Sequence, residues 1–122
     1  QTAVLTQIVA QVYTIEVIDT LAQSAQQRFL DYGYRNIHAK HGDGFSGWPE
    51  EAPFNAIMVT AAPQEIPAAL VDQLVIGGRM IIPVGSVEQA LCLVTKTREG
   101  VRRESILPVR FVPMIKADGK EY

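Results

Sequence analysis

The sequence predicts an α/β fold in which a doubly wound, mostly parallel sheet ends in an antiparallel edge. Short apolar runs alternate with stretches of helical periodicity as far as residue 84, and two β-rich runs then follow each other with only a turn between them. Alternation of strands and helices is typical of a parallel sheet, whereas strands joined by a short turn pair antiparallel. At 122 residues the chain has the size of one domain with a single core.

A strand, a helix and a second strand are predicted in the first part of the chain, after a short helical start. Apolar residues recur at helical spacing over residues 3–9, and residues 12–16 are a β-rich run. Asp19 is placed to cap the next helix, and Gly33 provides its stop signal. Residues 36–41 then give the second strand.

The middle of the chain predicts a buried strand, a third helix and a fourth strand. Residues 54–60 are a nearly continuous apolar run, as expected of a strand covered on both faces. Pro67 suits the first turn of the helix, and Gly77 with Gly78 is expected to end it. Residues 79–84 give the fourth strand.

The last part of the chain predicts the antiparallel hairpin. Residues 90–97 and 101–112 are β-rich and are separated by a turn at residues 98–100. Pro108 is expected at a bulge or on an edge strand because it has no N–H for the ladder. The single cysteine, Cys92, lies in an apolar run and is interpreted as a small core residue without chemistry.

Composition excludes several classes of function. The net charge is −2, and its 11 basic residues are scattered, so no positive stripe exists to follow a phosphate backbone and no nucleic acid is expected. No apolar run approaches the ~20 residues that cross a bilayer, so no membrane association is expected. Residues 1–10 lack the pattern of a signal peptide. We therefore expect a cytoplasmic protein, and we predict no metal site.

Acidic residues follow the first two predicted strands, where ligands of such sheets lie. Glu16 closes the first strand, and its carboxylate can accept two hydrogen bonds from a ribose diol, although an acid there can equally be a solvated boundary residue. Asp43 lies between Gly42 and Gly44, where missing side chains let a planar base approach and the carboxylate can accept from an exocyclic amine. The alternative is a turn whose glycines adopt positive dihedrals.

The third strand end has small side chains and no ionisable group. Thr60, Ala61 and Ala62 are followed by the rigid residue Pro63. This segment suits close approach of a ligand, and it suits tight packing equally well.

Six motifs, in order and over nearly the whole chain, resemble those of protein-L-isoaspartate O-methyltransferases. They are QTAVL at residues 1–5, VYTIE at 12–16, HGDG at 41–44, FNAIMVTAAP at 54–63, GGR with IPVG at 77–79 and 82–85, and VRFVP at 109–113. The resemblance implies a Rossmann-like S-adenosylmethionine-dependent methyltransferase sheet. It also implies methyl transfer from S-adenosylmethionine to the carboxylate of L-isoaspartyl and D-aspartyl residues in damaged proteins, as a repair reaction, by an enzyme that is a monomer in full-length form.

The resemblance also implies roles for individual residues. Glu16 would bind the ribose hydroxyls, and Asp43 with Gly44 would meet the adenine edge. The cofactor-binding set implied in this way is Glu16, Val17, Gly42, Asp43, Gly44, Thr60 and Ala61. The set implied to bind isoaspartyl-containing peptides and proteins is Ala62, Pro63, Val109, Arg110, Phe111, Val112 and Pro113. Asn55 stands where many relatives carry Asp, which we interpret as a tolerated change.

The family's glycine-rich loop, and a serine-bearing segment that contacts the substrate carboxylate, would precede Gln1. We therefore expect a partial methyltransferase domain, incomplete at its N-terminus, with no catalytic residue of its own. We also expect the isolated chain to be inactive and to aggregate or pair with another copy through open apolar edges.

The residues leave one alternative function open. A methyltransferase-like chain without its loop can act as a non-catalytic binding module that holds a partner through its edge or hairpin. A flavodoxin-like or receiver domain is set aside, because the sequence shows neither a phosphate loop nor a clustered acidic pocket.

Overall fold

The computed structural model describes residues 1–117, which fold as two compact units, residues 1–44 and the part from Phe45 onward. The first unit holds α1, β1, α2 and β2, and the second holds β3, α3, β4, β5 and β6. The bounds are Thr2–Leu5 for α1, Val12–Glu16 for β1, Asp19–Asp31 for α2, Ile37–His41 for β2, Phe54–Met58 for β3, Ala68–Asp72 for α3, Leu74–Gly85 for β4, Gln89–Thr97 for β5 and Gly100–Val109 for β6. Short 3₁₀ turns cover Gly44–Ser46 and Pro49–Glu51.

In the first unit, β1 and β2 form a parallel pair, which confirms both predicted strands. The register runs from Val12 opposite Ile37 to Glu16 opposite His41, so the two strands end at the same level. Val12 and Ala22 are buried. The crossover from β1 to β2 through α2 is the connection that parallel neighbours require.

The start of α2 differs from the prediction by one residue. Ile18 is the N-cap, and Asp19 is the first helical residue rather than the cap. The carboxylate that approaches the cap belongs to Glu16, whose Oε1 accepts a hydrogen bond from the Ile18 N–H at 3.1 Å. Asp19 still places its negative charge in the first turn, where it interacts favourably with the helix dipole.

The predicted stop of α2 at Gly33 is confirmed. Gly33 has a φ of 76°, and its N–H donates to the Leu30 carbonyl at 3.1 Å. The Tyr34 N–H donates to the Phe29 carbonyl at 3.0 Å, and the two rings of Phe29 and Tyr34 meet edge to face at 6.2 Å. The two hydrogen bonds and the contact between the Phe29 and Tyr34 rings make up a Schellman motif. This motif favours glycine at the position of Gly33.

The second unit is built on one four-stranded sheet in the order β3-β4-β5-β6. β3 is parallel to β4, whereas β4, β5 and β6 are antiparallel. One face buries a single apolar cluster together with α3. Its fully or nearly fully buried members are Leu70, Leu74, Met80, Ile82, Val84, Cys92 and Val94. Cys92 therefore is a core residue, as predicted, and the α/β class with a terminal antiparallel hairpin is confirmed.

The expectation that residues 54–60 are covered on both faces is wrong for the part of the chain that the structure describes. The exposure of side chains decides this, whereas the open edge of β3, which has a hydrogen-bonded neighbour only on its β4 side within residues 1–117, is a separate feature. Asn55, Ala56 and Met58 are exposed. An apolar run indicates that a segment favours burial. Whether the segment is buried depends on the elements that pack against it, and the run does not specify these elements.

The glycines expected to end α3 lie inside β4 instead. Pro67 is the N-cap of α3 rather than part of its first turn, and the helix ends at Asp72. Gly77 and Gly78 then form a bulge, because Phe54 pairs with Leu74 whereas Ala56 pairs with Arg79. A Cβ at Gly78 would meet backbone oxygens at 2.8 and 3.2 Å. Gly77, with a φ of 84°, is therefore favoured for its conformation, as at a helix end, whereas Gly78 is needed because a Cβ would not fit.

The hairpin of β5 and β6 is confirmed, with β6 ending earlier than predicted. Pro108 lies on β6, which is the edge strand of its sheet among the described residues, as predicted. A register shift lies opposite Leu91 and Cys92. After Val109 the chain leaves β5, and Pro113 instead makes a parallel bridge with Ala62. Within residues 1–117, no helix is long and apolar enough to span a membrane.

Candidate functional site

The ends of β1 and β2 are joined by main-chain and side-chain hydrogen bonds. The Gly42 N–H donates to the Glu16 carbonyl at 3.0 Å, and Nε2 of His41 lies 2.9 Å from the Val17 carbonyl. These contacts continue the parallel register of the strands by one further step. They bring Glu16 and Val17 beside the turn of residues 42–44, all of which the resemblance implies to contact one ligand.

Glu16 lies half-buried beside a cavity of about 160 Å³ in the first unit. Oε1 of Glu16 accepts from the Ile18 N–H, and an ionised carboxylate has further lone pairs with which to accept from a ligand. The cavity is otherwise lined by residues of α1, β1, α2 and β2. They are Thr2, Thr14, Leu21, Ala22, Ala25, Phe29, Ala39 and Lys40. Asp43 is not among the lining residues, so this cavity alone does not join the two acids.

Gly42 does not adopt the positive φ that the turn interpretation required of it. The atoms nearest to a Cβ built on Gly42 would be Cε of Lys40 at 3.4 Å, Cγ2 of Ile15 at 3.7 Å and Cδ of Lys40 at 3.9 Å, which are ordinary contacts. The fold of the first unit therefore gives no steric or conformational reason for glycine here. Asp43 and Gly44, which follow, are half-buried.

His41 links the two strand ends from the side. In addition to the Val17 carbonyl, its ring approaches Asp19, with Nδ1 3.7 Å from Oδ1. His38 has a different environment, because it stacks on Tyr13 at 4.6 Å and lies 2.8 Å from Oε1 of Gln11. His41 holds the segment after Glu16 in place, whereas His38 packs along the strand pair.

Gln73 fixes the loop that follows the turn of residues 42–44. Its buried side chain accepts from the Trp48 N–H at 2.9 Å through Oε1 and donates to the Ser46 carbonyl at 2.9 Å through Nε2. Its own carbonyl accepts from the Phe54 N–H at 2.7 Å. One residue therefore satisfies polar groups on both sides of Gly47 and at the start of β3.

Residues 60–63 leave β3 along a path fixed by main-chain hydrogen bonds. The Ala62 N–H donates to the Val112 carbonyl at 2.8 Å, and the Ala62 carbonyl accepts from the Met114 N–H at 2.9 Å. The Pro63 carbonyl accepts from the Gly85 N–H at 2.9 Å. Ala62 and Pro63 are buried, whereas Thr60 is exposed and Ala61 is half-buried.

Residues 109–113 therefore lie beside residues 62 and 63, although the two segments are far apart in sequence. Gln89 holds the middle of this segment, because Oε1 accepts from the Phe111 N–H at 2.7 Å and Nε2 donates to the Phe111 carbonyl at 3.1 Å. Arg110, Val112 and Pro113 are exposed.

An open groove of about 720 Å³ adjoins this segment. Its lining includes Val109 and Arg110, residues 105–108 of β6 and the turn between β4 and β5. The structure thus brings together the residues implied to bind peptide, and their ligand remains a prediction.

Gln73 and Gln89 could not be found from the sequence. Both act on main-chain groups of a distant segment, and a single glutamine carries no sequence signal for such a partner. Among residues 1–117 no cluster of three or more His, Cys, Asp or Glu side chains is arranged to hold a metal ion.

Comparison with known proteins identifies the family. Residues 1–119 match the family model described as protein-L-isoaspartate(D-aspartate) O-methyltransferase (PCMT). A protein-L-isoaspartate O-methyltransferase of Gloeobacter violaceus is 44% identical over 124 residues, covering 100% of this chain and 60% of that protein. One of Brucella anthropi is 50% identical over 116 residues, covering 93% of this chain and 54% of that protein.

Solved structures agree with these matches. A protein-L-isoaspartate O-methyltransferase aligns with a TM-score of 0.86 at 29% identity, over 91% of this chain and 37% of that one. A Plasmodium falciparum protein assigned to the same enzyme family, solved with S-adenosyl-L-homocysteine, aligns with a TM-score of 0.75 at 27% identity, over 87% of this chain and 53% of that one. The chain spans 60% and 54% of the length of the two bacterial relatives named above. It belongs to the protein-L-isoaspartate(D-aspartate) O-methyltransferase family.

Proposed function

We propose that the protein carrying this chain transfers the methyl group of S-adenosylmethionine to the carboxylate of L-isoaspartyl and D-aspartyl residues in damaged proteins. Family membership supports the reaction class. The observation that carries the proposal is the junction of the two strand ends, where the Gly42 N–H donates to the Glu16 carbonyl at 3.0 Å. It places an acid that closes one strand beside a Gly-Asp-Gly turn that closes the next.

The first unit would bind the nucleoside part of the cofactor. Glu16 would accept hydrogen bonds from the ribose hydroxyls, with Val17 beside it, and Asp43 would accept from the exocyclic amine of adenine. Gly42 and Gly44 would let the base approach the main chain. The glycine at position 42 supports this role. The fold itself leaves room for a Cβ there, so the need for glycine would come from the ligand. The Plasmodium falciparum relative, solved with S-adenosyl-L-homocysteine, supports the choice of ligand.

The second unit would bind the damaged peptide. Ala62 and Pro63 are tied to residues 112–114, and this pairing would give the peptide a fixed surface to meet. The implied contacts are Ala62, Pro63, Val109, Arg110, Phe111, Val112 and Pro113. Thr60 and Ala61, with their small side chains, would allow the methyl donor to come close.

The reaction needs no general base. A side-chain carboxyl has a reference pKa of about 4, so it is already an anion at neutral pH. One carboxylate oxygen forms the new C–O bond as the C–S bond of the sulfonium breaks, and the electron pair of that bond stays on sulfur. A methyl ester and S-adenosylhomocysteine result. The protein would act by holding oxygen, methyl and sulfur in line and by excluding water as the opposite charges neutralise each other.

The test uses protein made from the full reading frame that encodes these residues. An isoaspartyl peptide and the same peptide with ordinary aspartate are incubated with S-adenosylmethionine, and the methyl ester is measured by mass spectrometry. We expect ester only on the isoaspartyl peptide. Glu16→Ala should weaken S-adenosylhomocysteine binding by about tenfold or more, as loss of a charged acceptor does. Asp31→Ala, at the exposed end of α2, is the matched control and should leave binding unchanged.

Two results would contradict the proposal. Equal methylation of both peptides would remove the substrate assignment, and unchanged binding in Glu16→Ala would remove the cofactor assignment. Binding of the peptide without any methylation would favour the non-catalytic binding module instead.

A further inference from the structure

The ladder between β5 and β6 ends before the segment that is proposed to meet the peptide. Gln89 is the first residue of β5 and pairs with Val109, the last residue of β6. Within the described part of the chain, no residue of β5 precedes Gln89. β5 therefore offers no further main-chain group to pair with Phe111. Polar main-chain groups that are partly buried need partners, so another group must supply them.

The side chain of Gln89 supplies both partners. Its carboxamide accepts from the Phe111 N–H at 2.7 Å and donates to the Phe111 carbonyl at 3.1 Å. Nε2 also lies within donating distance of the Ser86 carbonyl, at 3.3 Å, in the turn between β4 and β5. A primary amide carries the same donor and acceptor as a peptide group. Gln89 therefore extends the sheet by one step and ties that step to the neighbouring turn.

The same segment is held from its other side by Ala62. The Ala62 N–H donates to the Val112 carbonyl at 2.8 Å, and the Met114 N–H donates to the Ala62 carbonyl at 2.9 Å. Residues 111–114 are thus fixed between the Gln89 side chain and the Ala62 main chain. Phe111 is half-buried, whereas Arg110, Val112 and Pro113 are exposed on this fixed backbone.

We propose that Gln89 is a positioning residue for peptide recognition: it holds the main chain of Phe111 so that residues 110–113 meet the isoaspartyl peptide in one conformation. The inference rests on the proposed function, because the peptide is the ligand assigned to residues 109–113. Gln89 acts through Phe111, so it would change peptide binding without changing cofactor binding.

The test compares two variants of Gln89 in protein from the full reading frame. Gln89→Met keeps the length of the side chain and loses both hydrogen bonds, whereas Gln89→Glu keeps the acceptor for the Phe111 N–H and loses the donor. Gln27→Met, on the exposed surface of α2, is the matched control. The two measurements are hydrogen exchange of the Phe111 amide by NMR, and KM for an isoaspartyl peptide and for S-adenosylmethionine.

We expect Gln89→Met to speed exchange of the Phe111 amide and to raise the peptide KM, each by about tenfold, the usual effect of losing such bonds. The KM for S-adenosylmethionine should stay within about twofold, because Gln89 acts on the segment that is proposed to bind the peptide. General damage to the fold would instead raise both KM values. Gln89→Glu should keep slow exchange at Phe111 and should show a smaller rise in peptide KM. Gln27→Met should change none of these values.

The outcomes separate this inference from the function on which it rests. Wild-type protein that does not methylate the isoaspartyl peptide overturns the proposed function. Wild-type activity together with an unchanged peptide KM in Gln89→Met overturns only the role of Gln89. Equal rises in both KM values would also overturn it, because they would show general damage to the fold.

Discussion

Gly47 and Gln73 are in contact so close that no side chain fits between them. A Cβ built on Gly47 would overlap Oε1 of Gln73, and the carboxamide carbon and nitrogen of Gln73 would be only 2.8 and 2.9 Å away. Gly47 also has a φ of 64°, in the region that favours glycine. The loop after the Gly-Asp-Gly turn therefore combines a steric and a conformational need for glycine at one position.

Gly47→Ala should destabilise the fold more than Gly77→Ala. Gly77 has a φ of 84°, and a Cβ there would meet nothing within 4 Å, so its substitution adds only backbone strain, about 1 kcal/mol. Gly47→Ala adds the clash with Gln73, which we expect to cost about 1–3 kcal/mol more. The free energy of unfolding in urea checks this difference. Equal losses for both variants would show that Gln73 moves aside at little cost.

Gln73→Leu should lower the free energy of unfolding by about 2–4 kcal/mol, because it leaves the Trp48 N–H and the Ser46 carbonyl without their partner. Gln64→Leu is the control, since Gln64 is exposed, and it should change stability by less than about 0.5 kcal/mol. Denaturant unfolding measures both. A loss below about 1 kcal/mol in Gln73→Leu would mean that water replaces the carboxamide.

Gly42→Ala separates the two explanations of the Gly-Asp-Gly turn. The structure has room for the Cβ, with its nearest contact at 3.4 Å to the flexible end of Lys40, so stability should change by less than about 0.5 kcal/mol. If the base lies against this glycine, affinity for S-adenosylhomocysteine should fall by about tenfold or more, as expected when a methyl group blocks a close contact. Calorimetric titration and urea unfolding give the two values.

Gly33→Ala is the converse control for Gly42→Ala. Its positive φ predicts a loss of about 1 kcal/mol in stability, with affinity for S-adenosylhomocysteine unchanged. A Gly42→Ala variant that loses stability and keeps its affinity would restore the turn interpretation.

Asp43→Asn should change which base the protein prefers. A carboxylate accepts from the amine of adenine and repels the oxygen that hypoxanthine carries at that position, whereas an amide can donate to that oxygen. We expect wild-type protein to prefer S-adenosylhomocysteine to its inosine analogue by about tenfold or more, and Asp43→Asn to reduce that preference. Competition binding with both compounds measures the ratio. An unchanged ratio would place the base away from Asp43.

Local sequence patterns were sufficient to predict the elements that depend on contacts within a few residues. The strand at residues 12–16 coincides with a β-rich run, and Gly33 ends α2 through bonds to residues of the same helix. The hairpin from Gln89 to Val109 was also predictable, because its turn joins two neighbouring runs. These features depend on propensity and on contacts that are close in sequence.

Features that depend on distant partners were not predictable in the same way. Gly77 and Gly78 look like a helix stop, and only the pairing of β4 with β3 shows that they form a bulge. The exposure of Met58, at 44%, depends on which elements cover β3. In the candidate site, Glu16 and the turn at Asp43 could be proposed from the sequence because acids at strand ends form a recognisable pattern. Gln73 and Gln89 carry no such pattern, because their hydrogen-bond partners are main-chain groups that are distant in sequence.

The bridge between Ala62 and Pro113 makes the shape of one segment depend on a part of the chain that is synthesised much later. The intervening sequence contains β4, β5 and β6, so the ribosome must complete all three before residues 112–114 can reach Ala62. Until then the N–H and carbonyl of Ala62 lack these partners. During translation, residues 60–63 therefore gain these hydrogen bonds only after β6 and residues 112–114 have emerged, and the surface that the two segments form together cannot be complete earlier.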